Sequence, residues 1–236
     1  MTPILSAAAV ALTTIAGGLL PLYTKLKEMD FRYLVGFAAG VMLSTAFFEI
    51  IPAVGNFNET SAFFLAFGFF SLYLVEKSIL IHSCGESECE VHTPIGWISL
   101  VGIGAESLVD GMAIAVGFSQ SVALGTAITL AVLIHEIPRG FSTTVIMLHS
   151  GYSRGRIFAA LGVDSFLTPL GAVIGLGFPA EFFGPVVAFA AGTFIYVGAA
   201  DLLPDAHRRF NYKVIVAVLL GAAIIPLVTE LLGAGH

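Results

Sequence analysis

Charged residues are scarce in this chain. Lys, Arg, Asp and Glu make up 11% of its 236 residues, against about a quarter in a typical soluble domain. Hydrophobic residues account for 57% and the mean hydropathy is +0.96. This composition excludes an ordinary soluble domain and indicates an integral membrane protein. With 10 basic residues and a formal net charge of −6, no nucleic-acid partner is expected.

Cysteine is also rare. The two cysteines, Cys84 and Cys89, both lie in one short polar segment, so no disulfide framework is expected. The N-terminal apolar run has no basic residues before it, because the first cations are Lys25 and Lys27. We therefore expect no cleaved signal peptide.

Long apolar runs fill most of the sequence. Each is about 20 residues long, which as a helix rising 1.5 Å per residue crosses ~30 Å of hydrocarbon. The pattern predicts an all-α polytopic membrane protein, with residues 1–236 forming one transmembrane domain. The eight predicted spans are roughly 3–23, 33–53, 62–81, 95–118, 123–148, 157–178, 183–204 and 213–233.

The basic residues predict the orientation. Eight of the ten lie between spans one and two, five and six, or seven and eight, and Lys77 lies at the end of span three. By the positive-inside rule those connections are cytoplasmic and both termini face outward. The tenth, Arg139, falls inside span five. The nine are Lys25, Lys27, Arg32, Lys77, Arg154, Arg156, Arg208, Arg209 and Lys213.

Two motifs place ionisable groups inside spans four and five. Glu106 and Asp110 are four residues apart, as are His135 and Arg139, so each pair lies on one helix face. Such groups are costly within a bilayer and usually mark an ion or proton pathway. Two carboxylates and an imidazole also suit a first-row divalent ion. The motifs therefore predict a metal site between the two helices.

An internal repeat favours a transporter. Phe37-Ala-Ala-Gly40 is followed by Glu49 and Pro52, and Phe189-Ala-Ala-Gly192 is followed at the same spacing by Asp201 and Pro204. Spans two and seven run in opposite directions in the predicted topology, so this is an inverted repeat, from which many secondary transporters are built. Chance similarity of Ala- and Gly-rich membrane helices is the alternative.

These segments resemble the Zrt/Irt-like (ZIP) divalent-metal transporters over essentially all eight spans. The resemblance rests on Gly40-Val-Met-Leu with Pro52, Asp110-Gly111, His135-Glu136-Ile-Pro138, Phe189-Ala-Ala-Gly-Thr-Phe-Ile-Tyr and Asp201-Leu-Leu-Pro. It implies an eight-helix fold in which spans four and five hold the metal between inverted three-helix units, spans 1–3 and 6–8. It also implies transport of metal toward the cytoplasm.

Through this resemblance the expected metal residues are Met42, Glu106, Asp110, His135 and Glu136. Three positions of the family's second metal site carry other residues here, namely Ser107, Arg139 and Thr168. A guanidinium is always charged and cannot bind a cation. We therefore expect a centre holding one ion, with Arg139 in place of the second.

The residues leave alternatives open. Glu136 and Arg139, three apart, could form a buried ion pair that Asp110 joins. Glu106 and His135 could be hydrogen-bonded packing residues, and Met42 could fill the apolar core.

Residues outside the two motifs are candidates for the ion pathway. Glu49 and Asp201 could guard an entrance and an exit, or be solvated helix ends. Asp164 could line an exit path, or pair with Arg154 or Arg156, which we favour. The cytoplasmic loop 82–93 could capture ions weakly through His82, Cys84, Cys89 and His92, although an ordinary polar loop is the commoner case.

The function expected is inward transport of Zn²⁺, Fe²⁺, Mn²⁺ or Cd²⁺ by alternating access through a midplane site, with the ion as substrate. A metal sensor or inactive homologue is the main alternative. An intramembrane metallohydrolase would need a second histidine at position 139, so we do not expect an enzyme. The lipid bilayer is the expected partner, in a prokaryotic cytoplasmic (inner) membrane. The oligomeric state is open, a homodimer included.

Overall fold

The apolar runs of the sequence form long helices. The computed structural model describes residues 2–23, 28–84, 97–149, 151–206 and 211–231, and every regular element within these ranges is helical. The helices are α1 (Pro3–Tyr23), α2 (Glu28–Thr45), α3 (Ile51–Ala53), α4 (Glu59–Cys84), α5 (Trp97–Gln120), α6 (Val122–His149), α7 (Arg154–Leu176), α8 (Phe183–Tyr196), α9 (Leu203–Ala206) and α10 (Tyr212–Leu231).

The predicted spans agree with these helices. Among the described residues, six helical stretches are long and apolar enough to cross a membrane, which confirms an all-α polytopic membrane protein. They begin at Pro3, Arg32, Glu59, Val122, Arg154 and Phe183. α5 and α10 lie at the positions of predicted spans four and eight but are not among the six. The count of eight therefore remains a prediction.

Reciprocal glycine contacts set how the helices cross. At four crossings, each helix contributes a glycine whose added Cβ would lie within 2.5 Å of a backbone carbonyl oxygen of the other helix. A side chain does not fit at such a distance, so these backbones pack directly against each other. The pairs are Gly17 with Gly140 (α1 and α6), Gly111 with Gly171 (α5 and α7), Gly40 with Gly221 (α2 and α10) and Gly68 with Gly192 (α4 and α8).

Two of these glycines belong to the predicted metal motifs. Gly111 directly follows Asp110 in α5, and Gly140 directly follows Arg139 in α6. Each lies where its helix meets a neighbour, since Gly111 packs on the Thr168 carbonyl of α7 and Gly140 on the Thr14 carbonyl of α1. The motif glycines therefore fix the helices that carry the charged side chains.

Both copies of the sequence repeat run into a π-helical segment. These segments are Ala46–Ile50 after α2 and Val197–Leu202 after α8. In the first, the Ile51 N–H bonds the Ala46 carbonyl, and in the second the Leu203 N–H bonds the Gly198 carbonyl. A proline follows one residue later in each copy, and it cannot supply the next α-helical hydrogen bond. The repeat seen in the sequence thus has a matching local structure.

Gly171 offers a test of this packing. A Cβ there would lie 2.1 Å from the Leu108 carbonyl oxygen, whereas a Cβ at Gly162 of the same helix meets nothing within 4 Å. Forcing atoms into a packed contact costs typically 1–3 kcal/mol, while alanine in an open helical position gains roughly 0.5–1 kcal/mol over glycine. We expect Gly171→Ala to lower the thermal unfolding temperature in detergent and Gly162→Ala to leave it unchanged or raise it. Equal behaviour of the two variants would contradict the crossing geometry.

Candidate metal centre

Four acidic or imidazole side chains of α5 and α6 converge in the interior. The Nε2 atom of His135 lies 3.3 Å from Asp110 Oδ2, 3.6 Å from Glu136 Oε1 and 3.8 Å from Glu106 Oε1. His135 and Glu136 are fully buried, and the side chains of Asp110 and Glu106 are 3% and 17% exposed. The four-residue spacing of the α5 motif thus places both its carboxylates on the face that meets α6. We call these four residues the acceptor cluster.

The orientation of His135 leaves a lone pair facing the carboxylates. Its Nδ1 lies 3.1 Å from the Ala131 carbonyl oxygen, which can only accept, so Nδ1 carries the proton when the ring is neutral. Nε2 is then an acceptor. Within the described part of the chain, no hydrogen-bond donor pairs with Nε2, Glu106 Oε1 or Asp110 Oδ2. Buried acceptors that face one another are stable only with a proton or a metal cation between them.

The spacing suits a single ion. Ligand atoms of Glu106, Asp110 and His135 all lie within 4.8 Å of one another. Ligands bound to one zinc ion at ~2.0–2.2 Å in a tetrahedron are roughly 3–4 Å apart, so a small inward movement of the side chains would complete the site. The structure therefore brings together four of the five predicted metal residues. Three of them have ligand atoms close enough to one another to hold a divalent ion.

Arg139 lies against the same cluster. Its Nη2 is 2.5 Å from Glu136 Oε1, although outside hydrogen-bonding geometry, and its Nη1 is 3.5 Å from Glu106 Oε2 and 4.0 Å from Asp110 Oδ2. The buried ion pair of Glu136 with Arg139 is therefore present, and Asp110 is at its edge. The ion pair and the acceptor cluster share atoms, because Glu136 Oε1 and Asp110 Oδ2 each face both the guanidinium and Nε2 of His135.

Asp164 of α7 pairs with Arg139, which corrects the partner expected from the sequence. Its oxygens lie 3.2 and 3.4 Å from Arg139 Nη2. Arg154 and Arg156, the expected partners, are exposed at the start of α7. They lie ten and eight residues from Asp164, respectively, or roughly 12–15 Å along the helix. Asp164 is buried, so it pairs with Arg139, which lies at the same depth in the helix bundle.

Ser107 links these two charged groups. Its Oγ donates to Asp164 Oδ1 at 2.5 Å and accepts from Arg139 Nη2 at 2.5 Å. Ser107 was expected only as a replacement for a metal ligand. The structure shows that it joins α5, α6 and α7 through one hydroxyl.

Thr14 of α1 is a contact that the motifs did not predict. Its hydroxyl donates to Glu136 Oε2 at 2.5 Å, which holds the carboxylate on the α1 side. The corresponding threonine of α7, Thr168, is buried with no hydroxyl partner among the described residues. A signal was present in the sequence, because Thr14-x-x-Gly17 and Thr168-x-x-Gly171 carry the glycines of two crossings.

The other predicted site residues lie outside the acceptor cluster or outside the described part of the chain. Met42 is fully buried in the apolar cluster that includes Val132 of α6, and its ligation of metal stays a prediction. Glu49 lies partly exposed in the first π-helical segment. Asp201 lies in the second, and its side chain is outside the described part. The backbone of His82 and Cys84 ends α4, with side chains outside the described part, while Cys89 and His92 lie outside the described residues altogether.

The fold and the buried cluster define an integral membrane protein that carries ionisable side chains in its interior. The family model described as ZIP Zinc transporter matches residues 80–229, a stretch that holds the acceptor cluster, Arg139 and Asp164. The chain belongs to the ZIP zinc transporter family, as the sequence motifs predicted.

Curated relatives agree with this assignment. Zinc transporter foi of Drosophila melanogaster is 29% identical over 163 residues, or 62% of this chain and 23% of its own. Zinc transporter ZIP13 of Pongo abelii is 25% identical over 74% of this chain and 58% of its own. Metal cation symporter ZIP14 of Bos taurus is 29% identical over 59% of this chain and 28% of its own. The match thus spans between about a quarter and three fifths of these relatives.

Proposed function

We propose that this chain moves divalent transition-metal ions, Zn²⁺, Fe²⁺, Mn²⁺ or Cd²⁺, across a membrane as its substrates. The observation that carries the proposal is the acceptor cluster, in which buried oxygens and the His135 Nε2 converge without a donor among the described residues. Carboxylates with one imidazole form a mixed O/N site that several first-row ions can use. The names of the relatives, zinc transporters and a metal cation symporter, support the same substrate class.

The centre holds one ion in this proposal. Arg139 occupies the side of the cluster where a second ion would share Asp110 and Glu136, and its guanidinium atoms lie 2.5–4.0 Å from the carboxylates. A permanent positive charge at that place repels a second cation. Ser107 and Thr168 offer hydroxyls where two further ligands would be needed.

The glycine crossings support alternating access by two helix groups. Close backbone contacts join α1 to α6 and α5 to α7, and separately α2 to α10 and α4 to α8. The first group consists of α1, α5, α6 and α7, and its helices carry all the charged groups of the centre. Their contact with the second group is apolar, with Met42, Val132 and Phe194 in one cluster. We infer that the first group carries the ion past the second, in a single transmembrane domain of eight spans.

Direction and location rest on the sequence. The basic residues favour outward termini, and the resemblance to the family implies transport toward the cytoplasm. We also propose a prokaryotic cytoplasmic membrane as the location, with weak ion capture by loop 82–93. The proposal leaves the oligomeric state open, a homodimer included. The relatives named above come from animals.

Uptake into vesicles tests the proposal. Purified protein in liposomes should take up zinc with saturation, and Fe²⁺, Mn²⁺ and Cd²⁺ should compete to the extent that the site accepts them. Protein-free liposomes and liposomes holding Asp110→Asn are the controls. Zinc binding without uptake would favour the metal sensor, which the ion pair of Arg139 makes the main alternative. Neither binding nor uptake would overturn the proposal.

A further inference from the structure

Asp164 is a buried carboxylate that the proposed metal site does not use. It lies on α7 with its side chain 5% exposed, outside the acceptor cluster of α5 and α6. An ionised carboxylate at this depth requires a compensating charge. Among the described residues its cation is Arg139, at 3.2 Å from Oδ1.

Arg139 is therefore shared between two sets of carboxylates. Nη2 lies 2.5 Å from Glu136 and 3.2 Å from Asp164, and it also donates to Ser107. Nη1 and Nε, by contrast, have no hydrogen-bond acceptor in the described part of the chain, although Nη1 faces Glu106 at 3.5 Å. Among the described residues, its hydrogen bonds thus run through Nη2 alone, to Ser107 and Asp164. The acceptor cluster holds the guanidinium by charge, and the same Nη2 faces the cluster at Glu136.

The arrival of a divalent ion changes this balance. The ion neutralises Glu106 and Asp110 and repels the guanidinium, since both are positive. Without a second anion, Arg139 would then be a buried cation with too little compensation. Asp164 supplies that second anion beside Glu136, since both carboxylates face Nη2. The Ser107 hydroxyl already joins Asp164 to Nη2.

We propose that Asp164 is a positioning residue that draws Arg139 away from the acceptor cluster and so makes room for the metal substrate. The proposal rests on the proposed function. Asp164 does not bind the ion. It lowers the ability of Arg139 to compete with the ion for Glu106, Glu136 and Asp110.

A double-mutant cycle tests this role. Zinc affinity would be measured in detergent for the parent, Asp164→Asn, Arg139→Gln and the double variant. We expect Asp164→Asn alone to weaken zinc binding about tenfold, because Arg139 then pairs more fully with the cluster. In the Arg139→Gln background the same change should alter affinity less than about twofold, because the competing cation is gone. Asp164→Glu should restore affinity to within about threefold of the parent, because it keeps the charge.

Each other outcome overturns the proposal. Equal weakening in both backgrounds would mean that Asp164 acts on the ion directly. An unchanged affinity of Asp164→Asn would leave Asp164 a structural residue. A parent that binds no zinc would overturn the proposed function as well, so the two failures are distinguishable.

Ser107→Ala keeps the test available if Asp164→Asn does not fold. This variant removes the hydroxyl between Asp164 and Arg139 and leaves every charge in place. We expect zinc binding about threefold weaker in the parent background and unchanged in the Arg139→Gln background. Weakening in both backgrounds, or in neither, contradicts the positioning role.

Discussion

Asp110→Asn abolishes zinc binding at micromolar ion concentrations, according to this account. The substitution keeps the shape of the side chain and removes the negative charge nearest His135 Nε2, at 3.3 Å. Losing a residue that only supports a metal ligand typically costs 10–100-fold in affinity, so losing a ligand should cost at least about 100-fold. Equilibrium binding of zinc, with uptake into liposomes, measures the effect. His135→Ala should behave in the same way.

Glu76→Gln is the matched control. Glu76 lies on α4, where it accepts a hydrogen bond from Tyr196 and pairs with Lys77, outside the acceptor cluster. The change also replaces one carboxylate with an amide, and zinc affinity should stay within about twofold of the parent, because it removes no ligand. If Asp110→Asn binds zinc as the parent does, the ligand assignment is wrong.

Arg139→Gln should have the opposite effect on affinity. Two unit charges ~5 Å apart at an effective dielectric of about 20 interact by roughly 3 kcal/mol, and a divalent ion doubles that figure. Even after screening, removing the guanidinium should tighten zinc binding by about tenfold or more. Turnover in liposomes should fall, because the repulsion that helps to release the ion is lost. Binding isotherms and initial uptake rates measure the two effects separately.

Arg139→Lys is the control for charge. It keeps the cation but not the planar fork that reaches Ser107 and Asp164, so it should not tighten binding. Weaker binding by Arg139→Gln would show instead that the arginine orients the ligands, and the release argument would fail.

Much of the helical architecture follows from sequence because it depends on local patterns. The apolar runs predict where helices lie along the chain, and α1 coincides with its predicted span, 3–23. The four-residue spacing of Glu106 with Asp110 likewise brings both onto one face, since the spacing alone decides it. These are properties of a single helix, which its own residues determine.

Contacts between helices could be predicted only in part. The hydrogen bond from Thr14 to Glu136 joins residues 122 positions apart in the chain. The pairing of Asp164 with Arg139 depends on the register of α7 against α5. That register is set where Gly111 meets the Thr168 carbonyl and Gly171 meets the Leu108 carbonyl. A glycine in a sequence indicates that two helices can pack closely at that position. It does not identify the carbonyl group of the other helix that the glycine will contact.

Cadmium located by anomalous scattering in crystals of the protein tests the central claim most directly. The account predicts one strong peak per chain, within coordinating distance of Glu106, Asp110 and His135, with Arg139 still beside Asp164. Two strong peaks within ~4 Å of each other, the usual separation in a shared two-metal site, would contradict the single-ion centre. A peak elsewhere, with none at the acceptor cluster, would contradict the site itself.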